Sequence, residues 1–128
     1  MTTRFFLSIV LAMICSVTFA EDKTVTHVDA NAAEKLVKEG KVTVVDVRSP
    51  DEYKEDHIAG AKNVDFFAED FAKELDKLDK SKPYLIHCAS GKRSTSSLKT
   101  FEKLGFKNLF HLDGGFNAWK EAGKPVEK

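Results

Sequence analysis

The chain has 128 residues, 42% hydrophobic and 31% charged, with 20 basic and 20 acidic side chains and no formal net charge at neutral pH. That balance excludes the basic field of a nucleic-acid binder, and no block of like charges marks a solvated tail. The length suits one compact domain with its own core, and no repeat, low-complexity tract or linker divides it.

Residues 1–20 read as a cleavable secretory signal peptide: Arg4 gives a positive start, residues 5–17 are largely apolar, and Thr18 and Ala20 are small residues at the cleavage-determining positions. The apolar stretch is short for a membrane span, and Glu21-Asp22-Lys23 follows at once. Cys15 does not read as a lipoprotein cysteine, because Ile14 stands where that processing calls for a small residue. Cleavage after Ala20 removes Arg4, so 20 basic residues become 19 against 20 acidic, and leaves residues 21–128 as a single domain. The expected location is outside the cytoplasm, in the periplasm, with secretion the alternative. Cys15 leaves with the leader and Cys88 remains alone, so no internal disulfide forms. A lone thiol in an oxidising compartment is either buried and inert or kept for its reactivity.

Residues 24–28 predict a short strand, and Asp29 caps a helix over 30–39 that Gly40 closes. Residues 42–45 form a β-branched run without polar alternation, which predicts a central strand covered on both faces and ending at Asp46-Val47-Arg48. Ser49-Pro50-Asp51-Glu52 carries a capping-box pattern with proline at the first helical position, predicting a helix that ends near Asp56. Residues 57–64 read as a turn into a short strand. The spacing of Phe67, Phe71, Ala72, Leu75 and Leu78 predicts a helix over 66–78 with these side chains in the core.

After Pro83, residues 84–87 predict a strand, and Leu98, Phe101 and Leu104 share one face of a helix over 94–104 closed by Gly105. Residues 108–112 form a further strand, Asp113-Gly114-Gly115 a tight turn, and residues 116–122 a last helix whose Trp119 belongs to the core or to the outer wall of a site. Strands alternating with helices predict an α/β domain, a mainly parallel central sheet with helices on both faces. The ligand site of such a sheet lies beyond the carboxyl ends of its strands.

Cys88 occupies that position. It ends the run Tyr84-Leu85-Ile86-His87 and opens Cys88-Ala89-Ser90-Gly91-Lys92-Arg93-Ser94, which leads into a helix. A loop entering a helix offers unpaired N–H groups and the positive end of the macrodipole, which favour thiolate over thiol. Lys92 and Arg93 add two cations in the same turn, and Gly91 is expected to supply a positive φ or a close approach of backbone. His87 should point away from the Cys88 side of the sheet by alternation.

Three separated motifs together resemble a single-domain rhodanese, a sulfurtransferase. They are Asp46-Val47-Arg48 with Tyr53 and His57-Ile58-Ala59-Gly60-Ala61-Lys62-Asn63, the Cys88 loop, and Leu112-Asp113-Gly114-Gly115-Phe116-Asn117-Ala118-Trp119. Each is weak alone; in order and at these separations, across roughly residues 26–122, they are specific. The resemblance implies that Cys88 attacks the outer sulfur of a donor such as thiosulfate, becomes a persulfide, and passes that sulfur to cyanide or a thiol. Backbone N–H groups of Ala89, Ser90, Gly91 and Ser94 would cradle the sulfur anion, and Lys92 and Arg93 would hold the anionic donor, Arg93 having an internal ion pair as its alternative.

On the same resemblance Asp46 and Arg48 are structural, with a salt bridge of Arg48 fixing the loop, and His57 pins its turn by a hydrogen bond. No metal and no cofactor are expected; the partners are a small anionic sulfur donor and a thiol or cyanide acceptor, with neither nucleic acid nor, for the mature form, a membrane. The larger two-domain thiosulfate enzymes carry cations where this chain has Glu52, Ala89 and Ser90. That departure weakens thiosulfate as donor more than it weakens persulfide chemistry.

Two other readings compete. Cysteine-dependent phosphatases and arsenate reductases place five residues between the nucleophile and a closing Arg, whereas here Ala89, Ser90, Gly91 and Lys92 are the only residues between Cys88 and Arg93. A non-catalytic module of the same fold would bind a partner or sense redox state through oxidation of Cys88.

Overall fold

The computed structural model describes residues 24–128. The signal peptide expected at 1–20 lies outside these residues. The described chain alternates strand and helix throughout: β1 (Val25–Val28), α1 (Ala30–Lys38), β2 (Thr43–Asp46), α2 (Pro50–Glu55), β3 (Lys62–Asn63), α3 (Phe71–Asp76), β4 (Tyr84–His87), α4 (Lys92–Lys103), β5 (Leu109–Leu112) and α5 (Gly115–Glu121). The strands form one sheet in the order β1-β5-β4-β2-β3, and every pairing is parallel.

The central strand β4 is buried at all four positions, and β2, whose run at 42–45 predicted cover on both faces, is buried at Val44, Val45 and Asp46. Its neighbours supply two cores through the alternation of their side chains. Val45, Ile86 and Leu109 pack on one face with Phe71, Leu75, Phe101 and Phe106, under α3 and α4. Val44, Leu85 and Leu112 pack on the other with Ala33, Ile58, Phe116 and Trp119, under α1 and α5. Trp119 is a core residue, 1% exposed, and its Nε1–H donates to the Pro125 carbonyl at 2.8 Å.

Helix starts follow local chemistry. The Asp29 carboxylate accepts from the Ala32 N–H at 2.8 Å, and Ser49 and Glu52 form the reciprocal capping box of α2. The helix expected over 66–78 is shorter, Phe71–Asp76. The Asp65 carboxylate accepts from the Phe67 N–H at 3.0 Å and the Asp65 carbonyl accepts from the Ala68 N–H at 3.1 Å, so a side-chain-capped turn takes the amides that a longer helix would use. Phe67, expected in the core, is 74% exposed. Helix α4 in contrast begins two residues earlier than expected, at Lys92, and so brings its N-terminus closer to Cys88.

Candidate active site

Cys88 leaves β4 at the carboxyl edge of the sheet, between the ends of β2 and β5, and the chain turns directly into α4. The side chain is buried, 1% exposed, against Val45, Val47, Ile86 and Phe101. Burial alone describes an inert thiol, but polar donors converge on it. The Gly91 N–H donates to Sγ at 3.1 Å and the Ser94 hydroxyl lies 3.2 Å from it. Burial pushes the thiol up; the Ser94 hydroxyl and the backbone N–H groups of Ser94, Gly91 and Ser90 outweigh it, and the net shift is downward from the ordinary value of 9.0.

The loop is shaped by two glycines and by the turn after β5. Gly91, the N-cap of α4, has φ 104°, and a Cβ there would lie 2.4 Å from the Asp113 carbonyl oxygen. Gly115 has φ 65°, and a Cβ there would lie 2.4 Å from the Ala89 carbonyl oxygen and 2.9 Å from that of Cys88. The close approach lets the Phe116 N–H donate to the Cys88 carbonyl at 2.8 Å and the Asn117 N–H to the Ala89 carbonyl at 3.0 Å. Carbonyls of the loop are thereby held outward on α5, and the N–H groups are left to face Sγ.

The cations separate. Lys92 is exposed and lines an open cleft of about 550 Å³ with Ser90, Gly91, Thr95, His27, His111 and Asp113. Arg93 turns its fork onto Glu52, donating from Nη1 at 2.7 Å and Nη2 at 3.0 Å, so the ion pair given as the alternative to substrate contact is the arrangement adopted. The Arg93 bond, opposed by partial burial and helped by the Ser49 hydroxyl, holds the Glu52 carboxyl down at about 2.

Asp46 and Arg48 serve a neighbouring joint: the salt bridge expected to fix the loop is made by Arg48 with Asp46, the last residue of β2. Arg48 Nε and Nη2 donate to the buried Asp46 carboxylate at 3.0 and 2.7 Å, and Nη2 also donates to the Asp56 carbonyl at 2.8 Å. The guanidinium lies 4.1 Å over the Phe116 ring. This buried pair ties the exit of β2 to the end of α2. His57 Nδ1–H donates to the Tyr53 carbonyl at 2.7 Å, and its ring stacks on Tyr53 with centroids 3.8 Å apart. His87 faces away from Cys88 and stacks on Phe116; its Nδ1–H donates to the Cys88 carbonyl at 3.0 Å, and its Nε2 is buried without a hydrogen-bond partner among the described residues. Burial, against the attraction of Asp46, lowers its affinity for a proton.

Sequence reasoning missed two histidines beside the loop. His111 is buried on β5, with Nε2 2.7 Å from the Ser94 hydroxyl and Nδ1 2.7 Å from Asp113 Oδ1. His27 of β1 reaches the same oxygen with Nδ1 at 2.6 Å. These separations are hydrogen bonds; ligands of a shared tetrahedral cation would stand about 3.3 Å apart. Nothing in the strand pattern at 108–112 singles out His111, and pairing of residues this far apart in sequence leaves no local signal.

Comparison with known proteins agrees with this geometry. The sequence profile described as Rhodanese-like domain matches residues 29–122. The thiosulfate sulfurtransferase GlpE of Coxiella burnetii is 36% identical over 98 residues, spanning 77% of this chain and 87% of that protein. Among solved structures, a rhodanese-related protein of Thermoplasma volcanium superposes with a TM-score of 0.71 at 29% identity, covering 79% of this chain and 96% of that one. A Rhodopseudomonas palustris protein described as of unknown function and a possible tyrosine phosphatase superposes with a TM-score of 0.67 at 30% identity, covering 83% and 87%.

Proposed function

The chain belongs to the rhodanese-like domain family, and from that membership we propose that it is a sulfurtransferase in which Cys88 carries sulfur from a small anionic donor to a thiol or cyanide. The Cys88 thiolate attacks the outer sulfur of a donor such as thiosulfate, the donor's S–S bond breaks with its electron pair leaving on sulfite, and a Cys88 persulfide remains. An acceptor thiolate or cyanide then attacks the outer persulfide sulfur, and Cys88 departs as thiolate. No electrons are gained or lost overall, and neither half-reaction needs a resident metal or cofactor.

The observation that carries this reading is the convergence of the Gly91 N–H and the Ser94 hydroxyl on Cys88 Sγ in a loop with only four residues between Cys88 and Arg93. A ring of that size suits one sulfur anion, whether thiolate or terminal persulfide sulfur, better than a tetrahedral phosphate. Arg93, which a phosphatase would turn onto its substrate, is paired with Glu52. Lys92, at the rim of the cleft, supplies the charge that draws the donor in.

Mass spectrometry tests the proposal: incubation with thiosulfate, and with a panel of other sulfane donors, adds one sulfur atom to the protein and none to the Cys88→Ser variant, and cyanide then releases thiocyanate. Hydrolysis of p-nitrophenyl phosphate without sulfur uptake from any donor would overturn it in favour of a phosphatase; neither activity would leave a binding or redox-sensing module. Export belongs to the same proposal and rests on the character of residues 1–20. Protein recovered from the periplasmic fraction should begin at Glu21, and a chain retained in the cytoplasm with Met1 in place would refute it.

A further inference from the structure

We infer that Asp113, His111 and Ser94 form a proton relay that ionises Cys88. The inference rests on the sulfurtransferase reading only for its purpose, since the relay acts on the thiol itself. Its members sit on one face of the sheet: His111 pairs with Ile86 across β4 and β5, two residues before Cys88, and with His27 across β1 and β5. Helix α4 lowers Ser94 between the strand ends, fully buried, so that its hydroxyl lies 3.2 Å from Cys88 Sγ and 2.7 Å from His111 Nε2. His111 Nδ1–H donates to Asp113 Oδ1, which is also the acceptor for His27.

One tautomer satisfies the set. With Nδ1–H committed to Asp113, neutral His111 presents a bare Nε2, and the Ser94 hydroxyl donates to it at 2.7 Å in preference to the Gly91 carbonyl at 3.2 Å; the Cys88 S–H then donates to Ser94 Oγ. Ionisation shifts each proton by one partner. The S–H bond breaks as a new O–H bond forms on Ser94, and the former Ser94 proton moves to His111 Nε2. The product is a thiolate accepting from Ser94, which accepts from a His111 imidazolium held by the Asp113 carboxylate. One proton has left sulfur for nitrogen, Ser94 is unchanged, and no electrons have moved. His111 acts through Ser94 and is therefore a positioning residue for the reaction. The ionisable groups around it are Cys88 through Ser94, His27 and Asp113 at its outer edge, Lys92 on the wall of the cleft, and, through the sheet from the opposite face, His87 on the neighbouring strand.

The arrangement has an open end. His111 is 2% exposed, but Asp113 and His27 are each more than half exposed and line the cleft, so the relay joins a buried thiol to solvent. A hydrogen-bond network that only holds the loop would need no ionisable ring at its centre.

The test is the pH titration of the Cys88 thiolate by its ultraviolet absorbance, in the wild type and in His111→Gln, which keeps donor and acceptor atoms but takes no proton. The thiol midpoint should rise by at least about one pH unit in His111→Gln, a tenfold loss of thiolate at pH values well below the wild-type midpoint, and Asp113→Asn should move it the same way by less. Equal midpoints in wild type and His111→Gln would overturn the relay. Should His111→Gln fail to fold, proton NMR of the His111 ring decides: its titration lies higher in the wild type than in Cys88→Ser if a thiolate faces it through Ser94, and coincides in the two if none does. Sulfur uptake from thiosulfate is scored separately, so a protein that titrates as expected but takes up no sulfur keeps the relay and loses the sulfurtransferase reading.

Discussion

Gly115 lies so close to Ala89 that a Cβ on the glycine would stand 2.4 Å from the Ala89 carbonyl oxygen. The turn after β5 and the loop after β4 are therefore fitted to each other backbone to backbone. Gly115→Ala would also have to adopt φ 65° with a side chain. We expect it to cost about 1–3 kcal/mol in urea denaturation, and to slow persulfide formation further at temperatures where the variant is still folded, because the Phe116 and Asn117 amides no longer hold the loop carbonyls away from Sγ. A variant with wild-type stability and loading rate would show that this contact is incidental.

The lowered Cys88 thiol makes stability depend on pH. Burial raises it, but the Ser94 hydroxyl and the loop amides outweigh that and favour the thiolate in the folded state, so the folded midpoint lies below the unfolded one. The unfolded chain then holds more protons between the two midpoints, and stability rises with pH across that window and is level above the unfolded value. Relative to Cys88→Ala, the wild type should gain stability on going up from the folded midpoint toward pH 9 and lose it on acidification. Denaturation curves of the two proteins at a series of pH values check this, and parallel curves would contradict it.

How far the site could be read beforehand follows from how local its causes are. The Cys88 loop was legible because a nucleophile at a strand end, a glycine and a helix start lie within seven residues, and the Ser49 capping box is equally local. Phe67 was misplaced because apolar spacing cannot see Asp65 capturing backbone amides and ending the helical pattern. The salt bridge of Arg48 was foreseeable from its charge, but its acceptor was not named, because only the folded strand exit shows that Asp46, two residues away, fits the fork. His111 was invisible for the opposite reason: its partners come from β1, α4 and the turn after β5, and only the sheet order brings them together.

Glu52 and Arg93 give a second pH signature of the same sign at a lower pH. The carboxyl is held at about 2 by Arg93, so its contribution is full above the ordinary carboxylate value of 4.5 and is lost as pH falls through about 2. Both side chains are partly exposed, so solvent screening keeps the pair under about 1 kcal/mol. Glu52→Gln should be slightly less stable than wild type at neutral pH, and the gap should close between pH 4.5 and 2; a gap that persists at the acid end would place the effect in packing instead.

Lys92 separates attraction of the donor from formation of the sulfur anion. It stands exposed on the wall of the cleft, while the groups that bond Sγ come from Gly91 and Ser94. An exposed charge acting on a dianion through solvent is worth roughly 1 kcal/mol, so Lys92→Ala should lower kcat/KM for thiosulfate about three- to fivefold, through KM. The loss should shrink as salt is added, because screening already weakens the wild-type attraction, and it should be absent with an uncharged sulfane donor. The Cys88 thiolate titration should be nearly unmoved, since the hydroxyl and amides that hold the anion are intact. If Lys92→Ala instead shifts that titration strongly and slows neutral and anionic donors alike, the lysine stabilises the nucleophile, and the anion is drawn to the site by another group.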